Sequence, residues 1–294
     1  METPRPRARL GALMAAAGVM LASLVLSPSP GGAQSNPLQR GPAPTQASVE
    51  AARGPFAFSS VTVPRGNGFG GGTIYYPNDT SQGTFGVVAV SPGFTEGQNA
   101  ISWTGPRLAS QGFVVITIAT LNVFEGPSAR ADELTSALEW ASTAGPAAAR
   151  QRMDPSRFAV MGHSMGGGAT LETVRDNPDY QAGVALQPWD LGQNFGSVQV
   201  PTLIVGAQND VIATVGAHAR PFYNQIPATA EKAYLELAGA GHFVGTSPGT
   251  NVHQARTAIS WLKRYVDNDT RYEQFLCPPP SGTGISQYQH TCPG

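Results

Sequence analysis

The stretch Phe158-Ala159-Val160-Met161-Gly162-His163-Ser164-Met165-Gly166 joins an apolar run to a glycine-flanked serine, and a run of small residues follows it. A G-x-S-x-G sequence between a strand and a helix holds a serine on a sharp turn, with its hydroxyl at the edge of a sheet. Both glycines are needed because a Cβ at either position would collide with neighbouring backbone. The stretch therefore predicts a nucleophilic serine, Ser164. The alternative is a glycine-rich turn that merely contains a serine.

Outward from this stretch, apolar and β-branched runs alternate with helix-like segments. An antiparallel pair is predicted at 58–63 and 73–76, around a glycine-rich turn. The later predicted strands are 85–90, 113–119, 158–161, 183–186, 202–205 and 233–237, and the predicted helices are 129–143, 165–175, 215–225 and 254–266. This alternation indicates an α/β class, with a mostly parallel sheet flanked by helices on both faces. The sequence has no repeat and no second compositional block, so residues 54–294 are expected to form a single domain.

The chain opens with the pattern of a secretory signal peptide over residues 1–33. Arginines at positions 5, 7 and 9 precede an apolar run at 10–26, and small residues at 31–33 suit a cleavage site. A membrane anchor is the alternative. Residues 34–53 are rich in Pro, Gln, Ala and Ser without apolar periodicity, which predicts a flexible leader. We therefore expect a secreted, extracellular protein with no membrane association after signal cleavage.

Charged residues make up only 13% of the chain, against about 25% in an average domain. The net charge is −1, and lysine occurs only at Lys232 and Lys263. Because no basic cluster is present, nucleic acid is not expected as a partner. We further expect a monomer.

Two cysteines, Cys277 and Cys292, lie among prolines and glycines in the last eighteen residues. Cysteines in a secreted tail of low apolar content favour a disulfide that pins the C-terminus. A zinc site would need ligands beyond two sulfurs, and only His290 is near in sequence. We therefore expect neither a metal nor a cofactor.

Two later residues suit the partners that a catalytic serine requires, a histidine that takes its proton and a carboxylate that orients the histidine. After such a serine, the order along the chain is acid and then base. Asp210 follows the predicted strand 202–205 and His242 follows 233–237, so both fall at the sheet edge where Ser164 lies. The alternatives are a helix cap for Asp210 and a solvent-exposed loop histidine for His242. The other histidines lie beside the nucleophile, in predicted helices or in the tail, and are weaker bases: His163, His218, His253 and His290.

The backbone offers two N–H groups for the oxyanion of an acyl-transfer reaction. In such sites one comes from the residue after the nucleophile and the other from a loop after an early strand. Met165 follows Ser164, and the loop Ser91-Pro92-Gly93-Phe94-Thr95 follows the predicted strand 85–90. Met165 and Phe94 are therefore the expected donors, although a Pro-Gly turn alone is an ordinary turn.

Separated motifs, taken in order, resemble bacterial cutinases and poly(ethylene terephthalate) hydrolases, the polyesterase-lipase-cutinase family. The motifs are SPGFT at 91–95, GHSMGGG at 162–168, QPW at 187–189, NDVIA at 209–213 and VDNDTRY at 266–272. The resemblance extends from about residue 54 to residue 292. It implies a lidless α/β-hydrolase fold and a secreted enzyme that cleaves polyesters.

The resemblance also implies roles for individual residues. The triad would be Ser164, Asp210 and His242, and the oxyanion donors would be Phe94 and Met165. Trp189 would be an aromatic platform for the acyl part of the substrate, and Cys277 and Cys292 would form the family's C-terminal disulfide. The expected substrate contacts are Phe94, Trp189, His163, Ile212 and Phe243.

Several positions depart from the branch of this family that degrades aromatic polyesters. That branch has a tryptophan before the nucleophile, a serine after the catalytic histidine and an additional disulfide between the acid and base loops. This chain has His163 and Phe243 at the first two places, and Ala207 with Val244 at the third. These differences favour the cutinase-like branch.

Two further comparisons with the family bear on the cleft and on metal binding. His218 and Phe222 occupy the pair beneath Trp189 that is small in the aromatic-degrading branch, so Trp189 is expected to swing less freely. Gln208 stands where the calcium site of some relatives wants a carboxylate, and a neutral amide is a poorer calcium ligand. No metal site is therefore expected.

The sequence thus predicts an esterase that cleaves cutin-like aliphatic polyesters and poly(ethylene terephthalate) through an acyl-enzyme. A soluble short-chain carboxylesterase or a triacylglycerol lipase would use the same catalytic residues and is the alternative. A non-catalytic binding protein on the same scaffold would be expected to lack a triad residue, and this chain has all three.

Overall fold

The computed structural model describes residues 1–3, 36–192 and 194–292. These residues include a nine-stranded sheet. The expected signal peptide, apart from residues 1–3, lies outside the described residues. In chain order the strands are β1 (Phe58–Val63), β2 (Gly72–Pro77), β3 (Phe85–Ser91), β4 (Val114–Ile118), β5 (Met153–His163), β6 (Ala182–Leu186), β7 (Thr202–Ala207), β8 (Lys232–Leu237) and β9 (Ile285–His290). Their order across the sheet is β1-β2-β4-β3-β5-β6-β7-β8-β9.

The middle of the sheet is parallel and its two ends are antiparallel. Neighbouring strands from β4 through β3, β5, β6 and β7 to β8 pair in parallel, whereas β1 and β2 on one side and β9 on the other pair antiparallel. Every residue of β3, β4, β6 and β7 is buried. Continuous burial is expected for strands that are covered on both faces.

Helices cover both faces of the sheet. They are α1 (Gln46–Glu50), α2 (Thr104–Ser110), α3 (Pro127–Thr143), α4 (Ala147–Arg150), α5 (Met165–Asp176), α6 (Ala219–Gln225) and α7 (Val252–Val266). Two hydrophobic clusters result, one that includes α3, α5 and α6 and one that includes α2 and α7. Successive residues of β3 alternate between the clusters, since Val87 and Ala89 join the first and Val88 and Val90 join the second.

The predicted α/β architecture is confirmed, including the early antiparallel pair. Most boundaries differ by one or two residues, and the largest differences are that β5 begins at Met153 rather than 158 and α6 at Ala219 rather than 215. Strand β9 was not predicted. The short helices α1, α2 and α4 were not predicted either. The connection from β6 to β7 contains turns, and no helix is formed by its described residues.

The prediction that residues 34–53 form a flexible leader needs correction. From Asn36 onward it belongs to the same compact unit as the sheet. Val49 of α1 is fully buried in the cluster that contains α7, and the Arg40 guanidinium donates to the Thr84 carbonyl at 3.0 Å. The segment has no apolar period of its own, because its order comes from contacts with residues that lie far away in sequence.

The C-terminal tail is fixed to the edge of the sheet. Cys277 and Cys292 form a disulfide with 6.1 Å between their Cα atoms. Strand β9 lies between the two cysteines in sequence and pairs antiparallel with β8. His290 lies beside both sulfurs and accepts a hydrogen bond from the Cys292 N–H at 2.9 Å. Because both sulfurs are consumed in the disulfide, neither is a thiolate that could hold zinc with His290.

Both lysines of the chain are buried. The Lys263 ammonium pairs with the Asp267 carboxylate at 2.7 Å and lies 4.9 Å from the centre of the Phe113 ring. The Lys232 ammonium donates to the Tyr223 carbonyl at 2.9 Å. Each charge is therefore met by a carboxylate or by carbonyl dipoles, as a buried cation requires.

None of the described helices is both long enough and apolar enough to cross a bilayer.

Candidate active site

Ser164 stands on a strained turn between β5 and α5. Its φ and ψ angles are 56° and −119°, in a region that L-residues rarely occupy. A Cβ on Gly162 would overlap the Gly166 carbonyl oxygen, and a Cβ on Gly166 would overlap the Ser91 carbonyl oxygen. The turn thus has the geometry predicted from the G-x-S-x-G sequence, and the two glycines permit its tightness.

The structure brings Ser164, His242 and Asp210 into one hydrogen-bonded chain. Nε2 of His242 lies 2.9 Å from Oγ of Ser164, and Nδ1 of His242 lies 2.7 Å from Oδ2 of Asp210. His242 opens a short 3₁₀ helix, His242–Gly245, that follows β8, and Asp210 follows β7. All three side chains are largely buried, so their hydrogen bonds are protected from competing water.

The second oxygen of Asp210 is held by the backbone. Oδ1 accepts the N–H groups of Ile212 at 2.8 Å and Ala213 at 2.7 Å. Burial by itself would raise the pKa of Asp210, but the hydrogen bonds from His242 and these two N–H groups outweigh burial and lower the pKa. Asp210 is therefore an ionised carboxylate with one oxygen reserved for His242.

The two expected oxyanion donors lie beside Ser164. The loop 91–95 approaches the serine so closely that a Cβ added to Gly93 would lie 2.8 Å from the Ser164 Cβ. Within residues 36–192 and 194–292, the N–H groups of Phe94 and Met165 have no protein acceptor, whereas the neighbouring Gly93 and Thr95 N–H groups are both bonded. The N–H groups of Phe94 and Met165 are thus available to a substrate oxygen.

A buried arginine, which the sequence analysis missed, braces this loop from behind. The Arg130 guanidinium is fully buried and donates to the carbonyl oxygens of Pro92 at 3.1 Å, Val123 at 2.9 Å and Glu125 at 3.1 Å. The Thr95 N–H also donates to Val123, at 2.8 Å. The loop 91–95 is therefore tied to the loop 121–126. Sequence spacing gave no signal for this role, because an arginine on a helix is ordinarily a surface residue.

An open cleft surrounds the serine hydroxyl, and three of the expected substrate contacts form its apolar rim. Phe94, Ile212 and Phe243 are 44%, 48% and 61% exposed, a high proportion for large apolar side chains. Together with Thr95, Glu96, Ser164 and His242 they line the cleft. Exposed apolar side chains that are grouped around a nucleophile indicate a surface for an apolar ligand.

Trp189 is half-buried, and its backbone N–H donates to the Ser164 carbonyl at 2.9 Å. Its ring stacks on His218 with 5.8 Å between ring centres and 30° between ring planes. His218 in turn packs edge-on against Phe222 at 5.7 Å. The ring of Trp189 is therefore supported from one side by the pair that the resemblance indicated.

His163, one of the expected substrate contacts, does not reach the cleft. Its ring is fully buried, with Nδ1 at 3.0 Å from a Glu96 carboxylate oxygen and Nε2 at 3.0 Å from the His242 carbonyl oxygen. Both nitrogens are engaged by protein groups, and no face of the ring is exposed to the cleft. Glu96, which sequence reasoning missed, is the residue that holds the ring inward; its only sequence signal was a carboxylate two positions after Phe94.

The loops that carry Asp210 and His242 are joined by hydrogen bonds. The Gln208 side-chain oxygen accepts the Gly239 N–H at 2.9 Å, and the Asn209 N–H donates to the Ala240 carbonyl at 2.8 Å. These bonds join the same two loops as the additional disulfide of the aromatic-degrading branch, but at other residues than Ala207 and Val244. Because the Gln208 oxygen already has a donor, it is less available to a cation.

The chain matches known proteins over nearly its whole length. The matching family model is described as PET hydrolase-like and covers residues 32–293. A bis(hydroxyethyl) terephthalate hydrolase from Streptomyces coelicolor is 49% identical over 290 residues, 98% of this chain and 92% of the relative. A cutinase from Thermobifida fusca is 49% identical over 95% of this chain and 93% of the relative. Cutinase 1 from Thermobifida cellulosilytica is 50% identical over 88% of this chain and 99% of the relative.

Identity at this level over this length, together with the α/β sheet and the turn at Ser164, shows which family the chain belongs to. The chain belongs to the PET hydrolase-like family.

Proposed function

We propose that this protein is a secreted serine ester hydrolase that cleaves polyesters, both cutin-like aliphatic chains and poly(ethylene terephthalate). The observation that carries the proposal is the chain from Ser164 through His242 to Asp210, with hydrogen bonds of 2.9 and 2.7 Å. The names of the relatives, cutinases and a bis(hydroxyethyl) terephthalate hydrolase, support the substrate class.

Acylation begins when Oγ of Ser164 attacks the ester carbonyl carbon and His242 Nε2 takes the hydroxyl proton. The ionised Asp210 accepts the Nδ1–H of His242 and stabilises the imidazolium that forms. The N–H groups of Phe94 and Met165 donate to the oxyanion. The bond from the carbonyl carbon to the alkoxy oxygen then breaks, and His242 returns the proton to the departing alcohol.

Deacylation repeats these steps with water as the nucleophile. His242 takes a proton from the water that attacks the acyl-enzyme, and Ser164 leaves with that proton. Each oxyanion donor contributes about 100-fold to 1,000-fold to kcat in sites of this kind. Two preorganised backbone N–H groups and one general base are sufficient for the reaction, and the mechanism uses neither a metal nor another cofactor.

Substrate binding uses the apolar rim and the supported tryptophan. Phe94, Ile212 and Phe243 contact the chain of the polymer, and Trp189 provides a flat surface for the acyl unit. Aromatic contacts add about 0.5–1.5 kcal/mol beyond the burial of apolar area. The stacking on His218 reduces the freedom of the Trp189 ring.

The first experiment measures soluble acids released from an amorphous poly(ethylene terephthalate) film and from an aliphatic polyester, using the protein from Gln34 onward. Ser164→Ala is the control, and we expect it to release nothing while its thermal midpoint stays close to that of the wild type. Release by the Ser164→Ala protein would exclude the proposed nucleophile. Turnover confined to short soluble esters would favour the carboxylesterase alternative.

Secretion and oligomeric state are parts of the proposal with tests of their own. We expect the protein in the culture medium with a new N-terminus near residue 34, and retention in the cell membrane would contradict export. Light scattering is expected to give the mass of one chain, and the mass of a dimer would contradict a monomer.

A further inference from the structure

A second histidine–carboxylate pair lies directly behind the nucleophile. His163 is the residue before Ser164, and its ring is fully buried. The Glu96 side chain is 13% exposed and lies in the wall of the cleft, with one carboxylate oxygen 3.0 Å from Nδ1 of His163. In the part of the chain that the structure describes, neither side chain is hydrogen-bonded to the Ser164 hydroxyl, and the proposed mechanism does not use the pair.

Both ring nitrogens of His163 face hydrogen-bond acceptors. One faces the Glu96 carboxylate and the other faces the His242 carbonyl oxygen, each at 3.0 Å. A neutral imidazole has one N–H and one lone pair, so it can donate to only one of these acceptors. Only the doubly protonated ring makes both hydrogen bonds at once.

Glu96 provides the negative charge that such a ring needs. Burial by itself would raise the pKa of Glu96, but the hydrogen bond and charge of His163 and the Gly93 N–H outweigh burial and lower that pKa. A buried cation without a partner is costly, whereas a hydrogen-bonded pair of opposite charges is tolerated. The carboxylate and the ring are therefore matched in charge as well as in geometry.

The pair connects the loop that carries Phe94, the proposed oxyanion donor, to the turn that carries His242, the proposed base. The Glu96 oxygen that faces His163 also accepts the Gly93 N–H at 2.6 Å, and Gly93 precedes Phe94, the proposed oxyanion donor. On the other side, Nε2 of His163 holds the backbone carbonyl of His242, the proposed base. A continuous path thus runs from the oxyanion loop to the turn that carries the base, and it passes behind Ser164.

We propose that Glu96 and His163 are positioning residues, a carboxylate–imidazolium pair that fixes the oxyanion loop against the turn that carries His242. The other groups packed on the His163 ring are the rings of His242 at 4.9 Å and Phe243 at 6.3 Å between centres. Gly245 completes the enclosure, since a Cβ there would come within 2.8 Å of the His163 ring. The role of the pair rests on the proposed ester hydrolysis, but its protonation can be tested without any substrate.

The direct test is ¹⁵N NMR of protein labelled at the imidazole nitrogens. We expect the His163 ring of the wild type to carry a proton on both nitrogens near neutral pH. In Glu96→Gln, an isosteric variant without the charge, we expect a neutral ring with a single N–H. The matched control is Glu139→Gln, which removes an exposed carboxylate elsewhere and should leave the signals of His163 unchanged.

The kinetic test uses a soluble p-nitrophenyl ester. We expect Glu96→Gln to lower kcat about 10-fold, less than the loss of a whole oxyanion donor, because the donors remain but are less well oriented. The thermal midpoint should fall by no more than a few degrees, since the side-chain volume is conserved. The Glu139→Gln control should retain the kcat of the wild type.

Three outcomes would overturn the proposal. A single N–H on His163 in the wild type would exclude the imidazolium. An unchanged kcat in Glu96→Gln would exclude a positioning role, and equal losses of kcat in Glu96→Gln and the Glu139→Gln control would show a non-specific effect. If the wild type hydrolysed no ester, the proposed function would fail, while the NMR result would still decide the protonation of the pair.

Discussion

The carboxylate of Asp210 is held mainly by backbone N–H groups. Two such groups, from Ile212 and Ala213, satisfy Oδ1 and leave Oδ2 for the His242 ring. A loop that encloses one oxygen in this way fixes the direction of the other. The orientation of His242, the proposed base, therefore depends on the conformation of residues 210–213 as much as on the charge of Asp210.

Asp210→Asn tests this division between orientation and charge. The amide oxygen can still accept the two N–H groups, but its NH₂ group then faces Nδ1 of His242 and forces the proton onto Nε2. Since that nitrogen can no longer take the Ser164 proton, we expect kcat on a soluble ester to fall about 10⁴-fold. The free energy of unfolding in urea should change by less than about 1 kcal/mol. A kcat within tenfold of the wild type would argue against Asp210 as the acid.

At this scale the sequence predicted the residues whose order along the chain is dictated by chemistry. Ser164, Asp210 and His242 follow β5, β7 and β8, whose carboxyl ends share one edge of the sheet, so their meeting could be inferred from strand assignments. The direction of the His163 side chain could not, because it depends on Glu96, which is 67 residues away in sequence. A buried hydrogen bond between distant loops leaves no periodic signal.

Among the elements, the loop 121–126 lies beside the loop 91–95 at the cleft. Its tip carries Phe124, which is 67% exposed and packs edge-on against Phe94 with 5.9 Å between ring centres. Arg130 and the Thr95 N–H tie the loop to the oxyanion loop. Leaving a large apolar ring in water is unfavourable. A loop that holds such a ring exposed therefore indicates a surface for contact with an apolar ligand.

We expect Phe124→Ala to affect polymers more than small esters. The ring extends the apolar rim beyond Phe94, where only a substrate longer than one ester unit would reach it. The rate of polyester film hydrolysis should fall about 3-fold to 10-fold, the equivalent of one aromatic contact. The kcat/KM for a short p-nitrophenyl ester should stay within about twofold, because catalysis needs no contact there.

Leu121→Ala is the control for this variant, because Leu121 is an apolar and partly exposed residue of the same loop. It should leave both activities close to those of the wild type. Equal losses on film and on the short ester in Phe124→Ala would indicate a displaced oxyanion loop rather than a lost contact.

The strands that were predicted correctly are those whose residues are apolar throughout or that alternate clearly. Strand β9 was missed because its residues are only partly buried and include Gln287 and Gln289. It is a strand because β8 offers it an edge, and the disulfide at Cys277 and Cys292 holds it there. The N-terminal segment 36–53 was misjudged for a similar reason, since its order is imposed by the rest of the fold.

For the whole molecule, the buried carboxyl group of Glu133, beside the half-buried Glu125, links stability to pH. Burial is the largest cause that raises the pKa of Glu133 to about 8, and the neighbouring Glu125 carboxylate adds to the effect. One oxygen of Glu133 accepts the Leu121 N–H at 2.6 Å. One oxygen of Glu125 and one of Glu133 are buried, and neither accepts a hydrogen bond from a donor in the described residues.

Glu133→Gln is expected to change how stability varies with pH. The folded state keeps a proton on Glu133 that the unfolded chain releases above its ordinary pKa of 4.5. The stabilisation is therefore complete below that value and is lost as pH rises through about 8. The amide stays neutral throughout, so the thermal midpoint of the variant should gain on the wild type between pH 5 and pH 8. Parallel curves for the two proteins would contradict the assignment, and Glu139→Gln should follow the wild type.

The C-terminal disulfide should matter for stability and not for turnover. Cys277 and Cys292 close a loop with a sequence separation of 15 at the edge of the sheet. A loop of this size is worth about 3 kcal/mol through the entropy of the unfolded chain. We expect the double serine variant to lose about this much free energy of unfolding in urea, with kcat at 25 °C unchanged. A large loss of kcat would show that the tail supports His242, which follows the neighbouring strand β8.

The burial of both lysines decides how this protein can be coupled to other materials. Reagents that attack amines need an exposed, unprotonated ε-amino group, and here Lys232 and Lys263 are enclosed and bonded to internal acceptors. In the folded protein, the α-amino group of the chain is therefore the favoured point of attachment. Immobilisation through amines would fasten the molecules by one end, in a common orientation, whereas most enzymes attach at random through many lysines.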